Sequence, residues 1–374
     1  MTRRDVGIRA DHLTLARLAL LPIPLAMLYG DGPAWKAAAL ALFVLLGLTD
    51  VWDGPLARRW GPSRLGGVLD IVADRVFLTL VYAAFADLRI VPTAVFAVLL
   101  GRDFLLAALR SLPGVAARMG AAGKLRTAVQ MYGAGLLLLL SIAGPSRWIE
   151  AILVAAAIGG GAVQIRAFRS GNGWDWRAIW TAGLTASTAS VLQLAPARTV
   201  SFVTALIVGF AIGTAILYVW RTRRQIAAGL SAAWWEPARV VGVTLAIPFA
   251  WLPLLREGPP LSLLIAALAA ADLVRLLAAS EVALRPHRPP ARRELARLSL
   301  LAATGLAAQA AVRGGSGTLG IALALLACLE TSAEAAWRMR VAAGDVRLAP
   351  AGGARLTPPS SGTATPRTQG APRP

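Results

Sequence analysis

The chain has 374 residues, 57% of them hydrophobic and only 15% charged, with a mean hydropathy of +0.63. This excludes an ordinary water-soluble domain and indicates an all-α, polytopic membrane protein. Its 38 Lys and Arg against 19 Asp and Glu give a formal charge of +19, a balance that on a soluble protein would suggest nucleic-acid binding.

Taken in chain order, apolar stretches long enough to cross about 30 Å of hydrocarbon as helix fall near 13–30, 36–56, 67–86, 90–110, 127–144 and 148–168. A second set follows near 177–195, 199–220, 239–255, 260–280, 297–312 and 318–337. The N-terminus has the basic-then-apolar pattern of a signal peptide without a convincing cleavage site, and is expected to stay as a membrane helix. Basic residues crowd alternate loops: Arg58, Arg59 and Arg64 follow the second span, and Arg110, Arg118, Lys124 and Arg126 follow the fourth. The intervening loops hold Lys36, Arg89 and Arg147, one apiece. By the positive-inside rule both termini face the cytoplasm, so the location expected is the plasma (inner) membrane. Such loops also attract anionic membrane lipids, and the high charge is read as membrane electrostatics, with no nucleic-acid partner.

Three parts are expected: a motif-bearing membrane unit over 1–170, a second helical block over 175–344, and a tail over 345–374. The boundary is the polar run Ser170 to Trp174. The tail is rich in Pro, Gly, Ser, Thr, Ala and Arg, and is expected to be disordered and cytoplasmic. No internal repeat relates the two blocks.

The run from Asp50 to Asp74 concentrates the chemistry. It reads DxxDGxxAR, seven residues, then GxxxDxxxD. On a helix, residues three or four apart share a face, so Asp50 and Asp53 project together from the end of the second span and Asp70 and Asp74 from the start of the third. Gly61 and Pro62 break the helix between them. Four carboxylates near a bilayer need a compensating partner. Oxygen-only donors select hard cations, Mg²⁺, Mn²⁺ or Ca²⁺, over zinc or copper, with Mg²⁺ or Mn²⁺ expected, and two such ions would clamp a phosphate. Gly54, Ala57 and Gly66 allow close backbone approach, and Arg58 offers a planar donor for phosphate. The competing reading is that nearby arginines pair with these aspartates as structural glue.

These residues resemble the signature of the CDP-alcohol phosphotransferases, matched at Asp50, Asp53, Gly54, Ala57, Arg58, Gly66, Asp70 and Asp74. The resemblance implies a six-helix core over about residues 10–168 and two divalent metals held by the aspartates. It also implies Asp74 acting as base, and transfer of a phosphatidyl group from CDP-diacylglycerol to an alcohol acceptor with release of CMP. LTLARLALLPIP from Leu13, with Thr14 and Arg17, looks like the first helix of the bacterial phosphatidylglycerophosphate synthases in this family, and Thr14 is expected at the CDP site. GRDFLLAALR, Gly101 to Arg110, and GKLRTAVQM, Gly123 to Met131, look like the same subgroup. They make Arg110 and Lys124 candidates for a phosphate on the acceptor, with glycerol 3-phosphate expected and phosphatidylglycerol or an inositol phosphate as alternatives. Where the familiar pattern reads DPxADK, this chain has DIVADR, with Ile71 and Arg75. Similar enzymes commonly form homodimers, which the resemblance implies here.

Outside the matched stretch the readings are structural. Asp272 and Arg275, three apart, are expected to form a buried pair. Glu330 and Glu334 share a face and could hold an ion. Trp234 and Trp235 read as interfacial anchors, Cys328 as packing, and His12 and His287 as loop residues that form no ligand set. A transporter and a non-catalytic scaffold are the rival classes, the first suggested by two blocks of six spans.

Overall fold

The computed structural model describes residues 10–60, 64–115, 120–170, 174, 176–281 and 291–343; within these, the side chains of 10–13, 49–60, 64–71, 120–121, 177, 279–281, 291–293 and 341–343 lie outside the description. The tail after 345, the core of the expected boundary at 171–173, and His287 fall outside it as well.

Among the described residues the chain is helical throughout, with no strand. The first apolar stretch is divided into α1, Ala10–Leu20, and α2, Pro22–Met27, because Pro22 and Pro24 lack the N–H groups that would continue the first helix. His12 therefore sits in a helix and not in a loop. There follow α3 (Pro33–Trp60), α4 (Arg64–Asp87), α5 (Thr93–Arg110), α6 (Gly120–Ala143) and α7 (Arg147–Arg169). The second half contains α8 (Trp176–Leu194), α9 (Thr199–Ser231), the short α10 (Glu236–Val241) and α11 (Ile247–Trp251), then α12 (Leu261–Glu281), α13 (Ala291–Arg313) and α14 (Gly317–Ala343). Helix α13 stops at a glycine cap: Gly315 takes φ +82°, and the Ser316 N–H returns to the Ala311 carbonyl at 2.8 Å.

Seven helices among the described residues are long and apolar enough to cross a membrane, and Thr14–Met27 and Pro33–Leu48 are shorter apolar segments. The protein is a multi-pass membrane protein built as a helical bundle. Its centre is α12, whose apolar span is 72% buried, whereas that of α7 is 11% buried. Helix α12 packs on α14, α4 and α5; α9 packs on α6 and α5; α7 lies along α8. The α7 and α8 backbones meet at Gly160, where a Cβ would stand 3.0 Å from the Ala178 carbonyl oxygen. This is the close approach that small residues permit in membranes.

The halves are tied by polar contacts as well as by packing. Asp87, at the end of α4, accepts hydrogen bonds from Tyr29 at 2.8 Å and from Ser262 of α12 at 2.7 Å. Burial first, then the bond to Asp87 and its negative charge, push the Tyr29 phenol well above its ordinary range. At the end of α5, Ser111 accepts from Arg239 at 2.8 Å, and Arg239 is paired with Glu236 at 2.9 Å. Arg239 also lies over the Trp235 ring, while Trp234 is exposed.

The expected Asp272 and Arg275 pair is present, with Nε to Oδ1 at 2.7 Å, inside a larger network. Arg275 also donates to Glu294 at 2.7 Å. Arg297 bridges Asp272 at 3.3 Å and Glu330 at 3.1 Å, and Arg338 joins Glu334 at 2.7 Å to Glu294 at 3.4 Å. Glu330 and Glu334 each face an arginine. Among the described residues no cluster of three or more His, Cys, Asp or Glu could hold a metal.

Candidate active site

Helix α3 is continuous through Asp50, Asp53, Gly54, Ala57 and Arg58, and α4 carries Gly66 and Asp70, so the three- and four-residue spacings lie on regular helix as expected. The side chains of those seven residues lie outside the described residues. Asp74 is described, and it marks where the run leads.

Asp74 is partly exposed, and its carboxylate lies 3.9 Å from the Arg17 guanidinium. Both line a cavity of about 200 Å³ between α1, α3, α4 and α6. Away from these two charges the wall is apolar, with Leu40, Phe43, Phe77, Met131 and Leu138. Phe43 and Phe77 meet edge to face, centroids 5.5 Å apart, joining α3 to α4 across the cavity. Thr14, one turn before Arg17, is 4% exposed. The cavity thus combines one pair of opposite charges with an otherwise apolar wall, a lining that suits a substrate with a polar head and a hydrocarbon tail.

Next to Asp74, Arg75 turns toward Asp103 of α5 at 3.4 Å. Arg102 reaches the same carboxylate at 2.7 Å, and Arg126 of α6 pairs with it too. Among the described residues three guanidinium groups thus share one carboxylate, so positive charge exceeds negative within this group. Arg126 is 0% and Arg102 7% exposed, so this charge is held away from water, where it is costly unless compensated and attractive to an anion. Arg102 also donates through Nη2 to Thr214 of α9 at 3.1 Å.

The two acceptor candidates lie on the same two helices as this cluster, Arg110 on α5 and Lys124 on α6. Arg110 lies two turns beyond Arg102 and stacks over the Tyr218 ring of α9 at 5.3 Å. Lys124 is exposed on α6, two residues before Arg126. The arginine group around Asp103 was missed as a unit, although a signal was present: Arg102 and Asp103 are charged residues inside an apolar span, which is a functional pointer in itself.

A buried basic cluster and an apolar cavity lined by Asp74 and Arg17 within membrane helices suit an integral membrane protein that handles a molecule with a charged head and an apolar tail. The chain belongs to the CDP-alcohol phosphatidyltransferase family: residues 8–160 match it, and its relatives agree. It is 33% identical over 165 residues to the probable phosphatidylglycerophosphate synthase of Mycobacterium tuberculosis, covering 42% of this chain and 77% of the relative. It is 33% identical over 183 residues to a CMP-forming cardiolipin synthase of Streptomyces coelicolor, covering 46% and 77%. Identity is 29% over 133 residues to the CDP-diacylglycerol–glycerol-3-phosphate 3-phosphatidyltransferase of Rickettsia bellii, covering 34% and 74%. No solved structure matches the chain.

The protein is accordingly a CDP-alcohol phosphatidyltransferase of phospholipid synthesis. Members of this family generally use divalent metal ions. The residues present fit such ions chemically: the run supplies four carboxylates, all hard oxygen donors, and the described one, Asp74, opens onto the cavity.

Proposed function

We propose that this enzyme moves the phosphatidyl group of CDP-diacylglycerol to glycerol 3-phosphate, releasing CMP. The observation that carries the choice of acceptor is the convergence of Arg75, Arg102 and Arg126 on Asp103, with Arg75 the residue after Asp74 on α4. An uncharged alcohol would leave that excess of buried positive charge unused, whereas a phosphomonoester would neutralise it through paired, charge-assisted hydrogen bonds.

In this reading Asp50, Asp53, Asp70 and Asp74 hold two Mg²⁺ or Mn²⁺ ions, which when bound neutralise the diphosphate. Thr14, Gly54, Ala57, Arg58 and Gly66 receive the CDP portion, and the apolar cavity takes a hydrocarbon chain. Asp74 accepts the proton of the acceptor hydroxyl as its oxygen bonds to the phosphatidyl phosphorus; the bond from that phosphorus to the CMP oxygen breaks, and CMP leaves with the electron pair. Basic loops put the site and both termini on the cytoplasmic face of the plasma membrane, against anionic lipids. Residues 1–170 are the catalytic unit. Homodimers are part of the reading by analogy with similar enzymes.

The similarity to a cardiolipin synthase favours phosphatidylglycerol as the second acceptor. The test uses purified protein, labelled CDP-diacylglycerol and Mg²⁺ or Mn²⁺ with each acceptor in turn. Metal-dependent CMP release with glycerol 3-phosphate, and a much slower rate with glycerol, is expected. Faster release with phosphatidylglycerol or an inositol phosphate would replace the acceptor, and no release with any would overturn the assignment.

A further inference from the structure

We propose that Thr214, on α9 in the second helical block, is a positioning residue for Arg102, so that the arginine group proposed to receive the acceptor phosphate is completed by a helix outside residues 8–160. The proposal rests on the reading of the arginine cluster given above.

The hydroxyl of Thr214 is committed in both directions. It donates to the Phe210 carbonyl one turn back at 2.7 Å, which turns a lone pair toward Arg102 Nη2 at 3.1 Å. Arg102 is held through Nη1 by Asp103 at 2.7 Å, so its two terminal nitrogens are fixed by different helices. A long side chain pinned at two points loses little further freedom when it binds a ligand, and that preorganisation favours affinity. Thr214 and Arg102 are both more than nine-tenths buried, leaving bulk water unable to substitute for a missing hydroxyl.

The register of α9 is locked on either side of Thr214. Seven residues earlier, Ile207 lies against Gly133 of α6, where a Cβ would stand 2.4 Å from its Cδ1. Fifteen residues later, Gly229 lies against the end of α5, where a Cβ would stand 2.9 Å from both Leu112 Cβ and the Pro113 carbonyl oxygen. One turn beyond Thr214, Tyr218 receives Arg110 on its ring face. Helix α9 therefore presents one hydroxyl and one ring to two arginines of α5, with little room to slide.

The test compares Thr214→Val, which keeps the shape and removes the lone pair, with Thr214→Ser, which keeps it, and uses Arg102→Met as the reference. Thr214→Val is expected to raise KM for glycerol 3-phosphate about tenfold, equivalent to about 1.4 kcal/mol, with KM for CDP-diacylglycerol and kcat within twofold; Thr214→Ser restores the native value. Thr214→Ala gives the same reading if the valine variant is recovered unfolded. Equal losses for both substrates, or a serine variant that behaves like valine, overturn the proposal. If Arg102→Met raises the acceptor KM and Thr214→Val does not, the positioning role fails while the acceptor reading stands. If Arg102→Met leaves that KM unchanged, the reading beneath it fails.

Discussion

Arg126 and Asp103 form an ion pair that joins α6 to α5, with the guanidinium fully enclosed. Because Arg75 and Arg102 share the same carboxylate, the pair is the fixed point of a group whose positive charge exceeds its negative charge. Arg126→Met is expected to raise the KM for glycerol 3-phosphate by at least tenfold, and Lys124→Gln, exposed two residues away, by less than threefold. Steady-state kinetics with each substrate varied would check this; a larger effect from Lys124 would move the acceptor site to the rim of α6.

Asp74→Asn keeps the size and removes the base. Expression, membrane insertion and thermal unfolding should match the native protein, while CMP release falls by a factor of about 10² or more, the scale of general-base catalysis. Retention of more than a few per cent of activity would assign proton removal elsewhere.

Arg275 donates to Asp272 and Glu294 from separate nitrogens inside the bundle. Removing it leaves two buried carboxylates short of compensation, a cost of about 3 kcal/mol. Arg275→Met should therefore lower Tm in detergent by several degrees, and Arg275→Lys should recover little of it, since an ammonium cannot span the fork. An unchanged Tm for Arg275→Met would show that the network contributes nothing to folding.

Gly305 of α13 lies against α11, where a Cβ would stand 2.9 Å from both the Cβ and the carbonyl oxygen of Ala250. Backbone cannot step aside as a side-chain tip can, so Gly305→Ala should destabilise by about 1 to 3 kcal/mol, the scale of overpacking. Gly101→Ala is the control, since beyond its own stretch of helix no atom lies within 4 Å of the added carbon. Calorimetric or fluorescence melts of the two variants should separate.

Tyr29 supplies the pH dependence. Its phenol holds its proton more tightly folded than unfolded, because of burial and Asp87, so its contribution is complete below a pH of about 10 and is lost as the pH rises through the folded value. Tm followed from pH 8 upward should fall above pH 10 more steeply in the native protein than in Tyr29→Phe. Parallel curves would exclude this residue as the source.

Much of the fold was legible because its signals are local. The apolar stretches fall on helices, although among the described residues seven are long and apolar enough to span where twelve were expected, and the Asp272 and Arg275 pair follows from a spacing of three. The backbone of the aspartate run was legible for the same reason, since its three- and four-residue spacings fall on α3 and α4. What could not be read is tertiary. Arg102 and Thr214 are 112 residues apart, and nothing in either neighbourhood announces the other. The pairing of α7 with α8 is equally silent, since one apolar helix face resembles another until small residues such as Gly160 choose a partner.

The enclosure of α12 has a consequence for biosynthesis. Helices α4 and α5 enter the bilayer with flanks that belong to a segment the ribosome has not yet made, and lipid must occupy those flanks until Leu261 and its successors arrive to displace it. The enzyme would then ripen late: the Asp74 end of α4 is threaded early, but its far end at Asp87 acquires its Ser262 partner only when the last third of the polypeptide docks.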